Sequence, residues 1–250
     1  MENSQQNTKD ITVSIVSHGQ QALILPLLEQ LQCYCAAEIE KIVLTVNTLE
    51  PDLIASKEWA LPIKTINNAS PKGFGSNHNA AFLHCDTPWF LVLNPDVRLT
   101  NDVLHALTAS ATPRTGLMAP LVRETDETHP EPHRELLTPI EILQRRQASY
   151  QPPTHPAWIP GLFMLFRTEA FQQIKGFDNR FFMYGEDFDI CARLQLQGWD
   201  LKVKEDLEVR HEAQRASHRR WRHLYWHLTS LAKVWMSSAF WRYRALRRSP

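Results

Sequence analysis

Cysteine is scarce in this 250-residue chain: Cys33, Cys35, Cys85 and Cys191 are the only four. They lack the paired spacing of metal ligands, and a chain of this length buries enough surface to fold without disulfide staples. Zinc-ribbon and disulfide-scaffold classes are thereby excluded, and a reducing compartment is expected. Long apolar runs are missing too, the longest candidate being the ten residues 157–166, against the roughly 20 that a membrane-crossing helix needs. The opening MENSQQNTKD lacks the basic-then-apolar order of a secretion signal. No internal repeat or low-complexity stretch appears. Acidic residues are absent from residues 213–250, which hold eight Arg and one Lys. The formal net charge of zero therefore hides a split, with 18 basic against 27 acidic residues over 1–212. A basic segment of this kind suits a polyanionic partner, a membrane or a nucleic acid.

With 43% hydrophobic residues, the chain can form one substantial core. Short β-branched or apolar runs at 11–16, 42–46, 63–67 and 89–93 predict strands, and 20–32 and 74–83 read as helices between them. A helix over 101–110 and a strand over 116–120 follow. Such alternation predicts an α/β domain with a central, mostly parallel sheet flanked by helices. Residues 123–157 break the rhythm with six prolines, and Thr138-Pro139-Ile140-Glu141 has the order of a helix start inside that mobile connection. Regularity returns with a strand at 162–166, helices at 168–174 and 186–197, and a strand at 201–203.

Open α/β sheets bind ligands beyond the carboxyl ends of their strands. Here those ends are polar: Ser17-His18-Gly19, Asn47-Thr48, Asn67-Asn68 and Asn94-Pro95-Asp96. Asn, Asp and Gly also build ordinary solvent turns. An aspartate just past a buried strand, as at Asp96, can hold a divalent cation that neutralises a diphosphate. Glu186, Asp187 and Asp189 stand at a predicted helix start, where the macrodipole favours negative charge whatever their role.

Taken together, residues 11–18, the KGFGSNHN run from Lys72, Asn94-Pro95-Asp96-Val97, residues 161–166, Gly176-Phe177-Asp178, the GEDFDICAR run from Gly185, and His211 resemble the family-2 inverting glycosyltransferases of GT-A fold, within them the rhamnosyltransferase-like branch. The resemblance covers roughly residues 11–217. It implies a Rossmann-like catalytic domain over 11–217, after a flexible N-terminus of ten residues. It further implies Asp96 as the metal-binding acid of a DxD-type motif, His211 as a second ligand, and Mg²⁺ or Mn²⁺ as the ion. Asp187 matches the catalytic base, with Glu186 beside it. Ser17, Asn47, Asn68, Gly73, Phe74, Asn77, Asn94 and Asp96 would contact the donor, the glycines allowing close backbone approach. The KGFG segment is not a Walker loop, since no Gly-Lys-Ser/Thr follows it. Asn47 stands where the family often has an acid after the second strand, and Asn94 replaces the first acid of DxD.

Residues 218–250 predict a basic amphipathic helical tail. On a helical wheel Trp221, Leu224, Tyr225, Leu228, Leu231, Ala232, Trp235, Ala239, Tyr243 and Leu246 share one sector, with Arg219, Arg222, His223, Lys233, Arg244, Arg247 and Arg248 largely opposite. Either the stripe over 219–248 meets an anionic membrane surface, as interfacial Trp and Tyr favour, or it docks on the catalytic domain. No nucleic-acid motif accompanies it. The expectation is thus a metal-dependent hexosyltransferase moving L-rhamnose or another hexose, with inversion, from a dTDP- or UDP-sugar to a lipid-linked or glycan acceptor in bacterial cell-surface polysaccharide synthesis. It would be cytoplasmic and peripheral on the inner membrane face. The competing reading is a catalytically silent binding or scaffold protein on the same fold.

Overall fold

In a computed structural model of the chain, the described residues are 9–145, 147, 149–212 and 220–248, the side chains of 220–223 excepted. The four predicted runs form β1 (Ile11–Ser17), β2 (Ile39–Val46), β3 (Ile63–Asn67) and β4 (Trp89–Leu93), with α1 (Gln21–Tyr34) after β1 and α2 (Phe74–Phe82) before β4. They pair in parallel in the order β3-β2-β1-β4. Because Ser17 lies opposite Val46, Val46 opposite Asn67 and Ile15 opposite Leu93, the carboxyl ends of all four strands open on one edge.

Beyond Leu93 come β5 (Val97–Arg98), α3 (Val103–Ala109), β6 (Thr115–Glu124), α4 (Pro139–Gln144), β7 (Phe163–Arg167), α5 (Thr168–Gln173), α6 (Glu186–Leu196) and β8 (Asp200–His211). The eight-stranded sheet runs β3-β2-β1-β4-β7-β6-β8-β5. Two features depart from expectation. The parallel pairing is interrupted at β7, which pairs antiparallel with both β4 and β6, then resumes between β6 and β8, and β5 pairs antiparallel with β8. The last strand, expected over 201–203, continues to His211, because Leu121 to Glu124 of β6 and Val97 of β5 supply partners for its far half.

Strand alternation divides the core between the two sheet faces. Ile11, Val13, Ile15, Leu91 and Leu93 face α1, meeting Ile24, Leu27, Leu28 and Leu31. Phe90, Val92, Met164 and Phe166 face the other way, toward Phe171, Phe181 and Phe188. Thr138 caps α4 by accepting from the Glu141 N–H at 3.1 Å, as its sequence predicts.

The C-terminal segment differs most from its sequence reading. Instead of one helix over 219–248 there are two, α7 (Arg220–Met236) and α8 (Ser238–Arg248). Ser237 marks the break: its hydroxyl donates to the Val234 carbonyl and accepts from the Phe240 N–H. In α8, Phe240 and Tyr243 are buried in the second core, and the Tyr243 hydroxyl donates to the Ala157 carbonyl at 2.7 Å. This half of the segment is structural, not a detachable tail. Truncating one buried aromatic to alanine costs about 3–5 kcal/mol, against a total stability of about 5–15 kcal/mol for a typical domain, so removing α8 would unfold much of the protein. The expected boundary at 217/218 and most of the expected flexible N-terminus lie outside the described residues, as do the side chains of Arg219, Trp221, Arg222 and His223.

Candidate active site

Past Leu93 the chain turns at once. The Asn94 N–H donates to the Leu162 carbonyl at 2.9 Å, and the Val97 N–H to the Asn94 carbonyl at 3.2 Å. The turn leaves Asp96 beside the end of β8, whose Glu212 N–H donates to the Asp96 carbonyl. Arg98 locks it, donating to the Pro95 and Val97 carbonyls and pairing with Glu212 at 2.8 Å. Pairing of Val97 with His211 then sets the His211 ring against the Asp96 carboxylate, Nε2 to Oδ2 at 3.3 Å. Nδ1 of the same ring lies 2.7 Å from Oε1 of Glu124, at the end of β6. Burial alone would discharge this imidazole, but the two carboxylates outweigh it and raise its pKa to about 9. The other Asp96 oxygen, Oδ1, is buried with no partner among the described residues.

A second acidic station stands at the start of α6. Tyr184 and Gly185 both adopt left-handed backbone angles, φ 71° and 81°, turning the chain sharply into the helix. Glu186 is buried, and its Oε2 has no partner among the described residues. Desolvation, then the charge of Asp187, raises its pKa to about 8. Asp187 is partly exposed and also raised by burial, but donors oppose this: the Phe188 N–H at 2.8 Å, the Gly161 N–H at 3.3 Å and the positive charge of Arg134. Of the pair, Asp187 is the side chain whose surroundings favour the charged form, and Glu186 the one whose surroundings favour the protonated form.

One short segment joins the two stations. Leu162 accepts from Asn94, while the adjacent Gly161 donates to Asp187. Asn94, two residues before Asp96, and Asp187 are thus bonded to neighbouring residues just ahead of β7.

The residues expected to contact a donor are brought together, but largely to hold one another. The Asn47 Oδ1 accepts from Asn68 at 2.8 Å and from the Lys72 N–H at 2.8 Å, and its Nδ2 donates to the Lys72 carbonyl at 3.0 Å. Asn68 also donates to Asn77 Oδ1 at 2.7 Å. Both Asn47 and Asn77 are buried, so their amides fix the turn at Lys72. Ser17 accepts from the Gln20 N–H at 3.1 Å and thus secures the entry to α1. The glycines require a correction. A Cβ at Gly73 would lie 2.7 Å from the Phe182 carbonyl oxygen, and one at Gly75 would lie 2.5 Å from Phe177 Cβ. What approaches them closely is the loop before α6, to which the Phe74 N–H also donates, at 2.9 Å to the Phe182 carbonyl. This contact couples the strand-end edge to Glu186 and Asp187.

Nothing in the sequence singles out Glu124, Arg98 or Arg134. Glu124 ends a strand expected to stop at 120, and Arg134 lies in the proline-rich connection, where no periodicity marks it. Arg134 is held by Glu131 and stacks on Trp158 at 4.9 Å.

The fold is that of known sugar transferases. A mannosyltransferase from Pyrobaculum calidifontis, solved in complex with GDP-Man and Mn²⁺, superposes with a TM-score of 0.66 at 17% identity over 92% of this chain and 65% of its own. The model of glycosyl transferase family group 2 matches residues 89–249, and the chain belongs to that family. Among its relatives, the N-acetylglucosaminyl-diphospho-decaprenol L-rhamnosyltransferase of Mycobacterium tuberculosis is 33% identical over 142 residues, 49% of this chain and 46% of the relative. The rhamnosyltransferase WbbL of Escherichia coli K12 is 29% identical over 210 residues, 75% of this chain and 78% of the relative. The matched part thus spans about half the length of the mycobacterial protein. The family match runs through α7 and α8, in agreement with their burial against the core.

Proposed function

We propose that the protein transfers a hexose, L-rhamnose by similarity to its relatives, from a nucleoside diphosphate sugar, dTDP- or UDP-linked, to a lipid-linked glycan acceptor, with inversion at the anomeric carbon. The observation that supports this reading is that Asn94, two residues before Asp96, and Asp187 are bonded to the adjacent residues Leu162 and Gly161. Transfer needs a general base close to the diphosphate site, and the shared Gly161–Leu162 anchor supports that arrangement.

Asp96 and His211 are the residues that would hold Mg²⁺ or Mn²⁺. The buried, unpartnered Asp96 Oδ1 fits a cation, and Glu124 behind His211 supplies the carboxylate–histidine support typical of metal ligands. The described residues contain no preformed group of three or more His, Cys, Asp or Glu able to hold an ion. Mg²⁺ commonly takes only one or two carboxylates and completes its shell with water and substrate phosphate oxygens, so a two-residue protein site is compatible with this role. Bound there, the ion would neutralise the charge that develops on the departing diphosphate. Asp187, charged and reached by solvent, takes the proton of the acceptor hydroxyl as that oxygen attacks. Glu186 stays protonated and keeps a second negative charge from the reacting centre. The network of Asn47, Asn68 and Asn77 holds the Lys72–Gly73 turn against Phe182, and Ser17, Phe74 and Asn94 complete the donor-side edge.

Outward from the site, α7 supports a peripheral membrane position at the inner face of the cell membrane. It packs on the core through Ser230, Val234 and Trp235, while its Leu224, Tyr225 and Leu228 remain 47%, 65% and 59% exposed. The first turns of α7 therefore present apolar side chains to solvent, on a segment with no acidic residue, which matches the charge of an anionic lipid surface. No helix of the described residues is long and apolar enough to cross a membrane.

The test is transfer from a panel of nucleotide sugars to a polyprenyl-diphosphate N-acetylglucosamine analogue, with and without Mg²⁺ or Mn²⁺, the product's anomeric configuration read by NMR. Metal-dependent transfer with inversion is expected. Donor binding with no turnover by any acceptor would overturn the enzyme reading in favour of a silent scaffold. Leu224→Ser with Leu228→Ser should weaken flotation with phosphatidylglycerol vesicles while leaving transfer to a short soluble acceptor intact.

A further inference from the structure

The far end of α6, roughly 10 Å along the helix from Glu186, holds a cavity of about 300 Å³ between α5, α6 and the start of α8. Its charged lining is entirely cationic: Lys175, Arg193 and Arg242, with Gln173, Gln197 and Ser238 as neutral polar neighbours. Arg193 is fixed from behind, its Nε donating to Asp189 at 2.7 Å and its Nη1 to the Ile174 carbonyl at 2.8 Å. Its remaining nitrogen, Nη2, is buried without an acceptor among the described residues. Neither Lys175 nor Arg242 has an ion pair with any described residue. Lys175 and Arg242 are exposed cations on the rim of this hollow, beside an Arg193 whose Nη2 lacks an acceptor, which costs free energy. An anion in the hollow would meet positive charge from both rim residues. The α8 N-terminus at Ser238 adds the positive end of a helix dipole on the same side.

We propose that this cavity binds a phosphate group, held by Arg193, Lys175 and Arg242. The site is separate from the carboxylates at the other end of α6 and does not depend on the transfer reaction. The phosphate could belong to a lipid headgroup or to a free soluble anion. Leu246, one turn beyond Arg242 on α8, is exposed, as is Met236 just before it.

Binding of inorganic pyrophosphate by the full chain, free of nucleotide sugar, is measured by calorimetry. Binding to phosphatidylglycerol and to phosphatidylcholine vesicles is measured by flotation. The variant is Lys175→Gln with Arg242→Gln, which leaves the Arg193–Asp189 pair in place. Arg242→Gln alone is paired with a charge-matched control, Arg244→Gln, an α8 arginine stacked on Trp241 outside the cavity. The double variant should bind pyrophosphate, phosphatidylglycerol vesicles or both at least about tenfold more weakly, as expected for lost charge-assisted hydrogen bonds, with donor turnover unchanged. Loss confined to pyrophosphate identifies a soluble anion as the ligand, and loss confined to the vesicles identifies a headgroup. The proposal falls if neither probe binds saturably, if the double variant binds both as the parent does, or if Arg244→Gln weakens binding as much as Arg242→Gln alone.

Discussion

The two acidic stations of the site handle charge in opposite ways. At Asp96 the carboxylate is met by His211, itself backed by Glu124, so a cation sits between two anions and its proton is held tightly. At Glu186 and Asp187 no cation among the described residues pairs with both carboxyls. Burial suppresses one charge, and backbone N–H groups together with the more distant Arg134 sustain the other. The first arrangement is a place where one positive charge can be exchanged for another. The second keeps a single carboxylate basic, as proton abstraction requires. Acidic sequence around both stations looks alike, and only the neighbours separate a cation site from a base.

The largest effect that would sharpen this contrast is on turnover. Asp187→Asn should lower kcat by about 10²- to 10⁴-fold with donor affinity nearly unchanged in calorimetry, whereas Glu186→Gln, which imitates the protonated acid, should retain most activity. Equal losses in both variants would erase the distinction between charged and neutral partner. Next come Asp96→Ala and His211→Ala, each expected to weaken Mn²⁺-dependent donor binding by about 100-fold, the upper end of what loss of a mere supporting residue produces. Full activity in excess chelator would break the metal assignment. Glu124→Gln should cost less, about tenfold in metal affinity, because it removes support behind His211 and leaves both ligands.

The smallest effect is on stability. In metal-free protein, Glu186 binds its proton more tightly when folded, so between its ordinary value of 4.5 and about 8 the folded state holds the extra proton and stability falls as pH rises. His211 contributes stability that is fully present below its ordinary 6.5 and is lost as pH rises through about 9. Urea midpoints followed from acid to mildly alkaline pH should therefore decline. Glu186→Gln should flatten the lower part of that decline and His211→Gln the upper. An unchanged profile in both variants would mean the two stations do not differ in the way their surroundings imply.

Much of this is legible from local pattern. The β-branched runs define β1 to β4, since alternating burial is written in residue spacing. The polar residues after each strand mark the edge where the site forms. Asp96, Asp187 and His211 stand out through resemblance to a family, while nothing near Glu124 or Arg134 in sequence signals a role. Glu124 matters because β8 runs eight residues past its apolar stretch, held by strands that are distant in the chain. Gly73 suggests room for a ligand when only its neighbours in sequence are considered, although its space belongs to Phe182.

The sequence by itself determined the order of strands and helices, the polar strand ends and the amphipathic character of residues 220–248, because these depend on neighbours within a few positions. Tertiary structure decided which carboxylates meet, which asparagines hold one another, and which helix faces are covered. Its clearest decision separates α7 from α8: both are basic and amphipathic, yet α7 leaves Leu224, Tyr225 and Leu228 exposed while α8 buries Phe240 and Tyr243. An apolar stripe gives a helix a preferred side, but whether that side meets protein or another surface depends on the shape offered by distant parts of the chain, here α6 and the Ala157 segment that receives Tyr243.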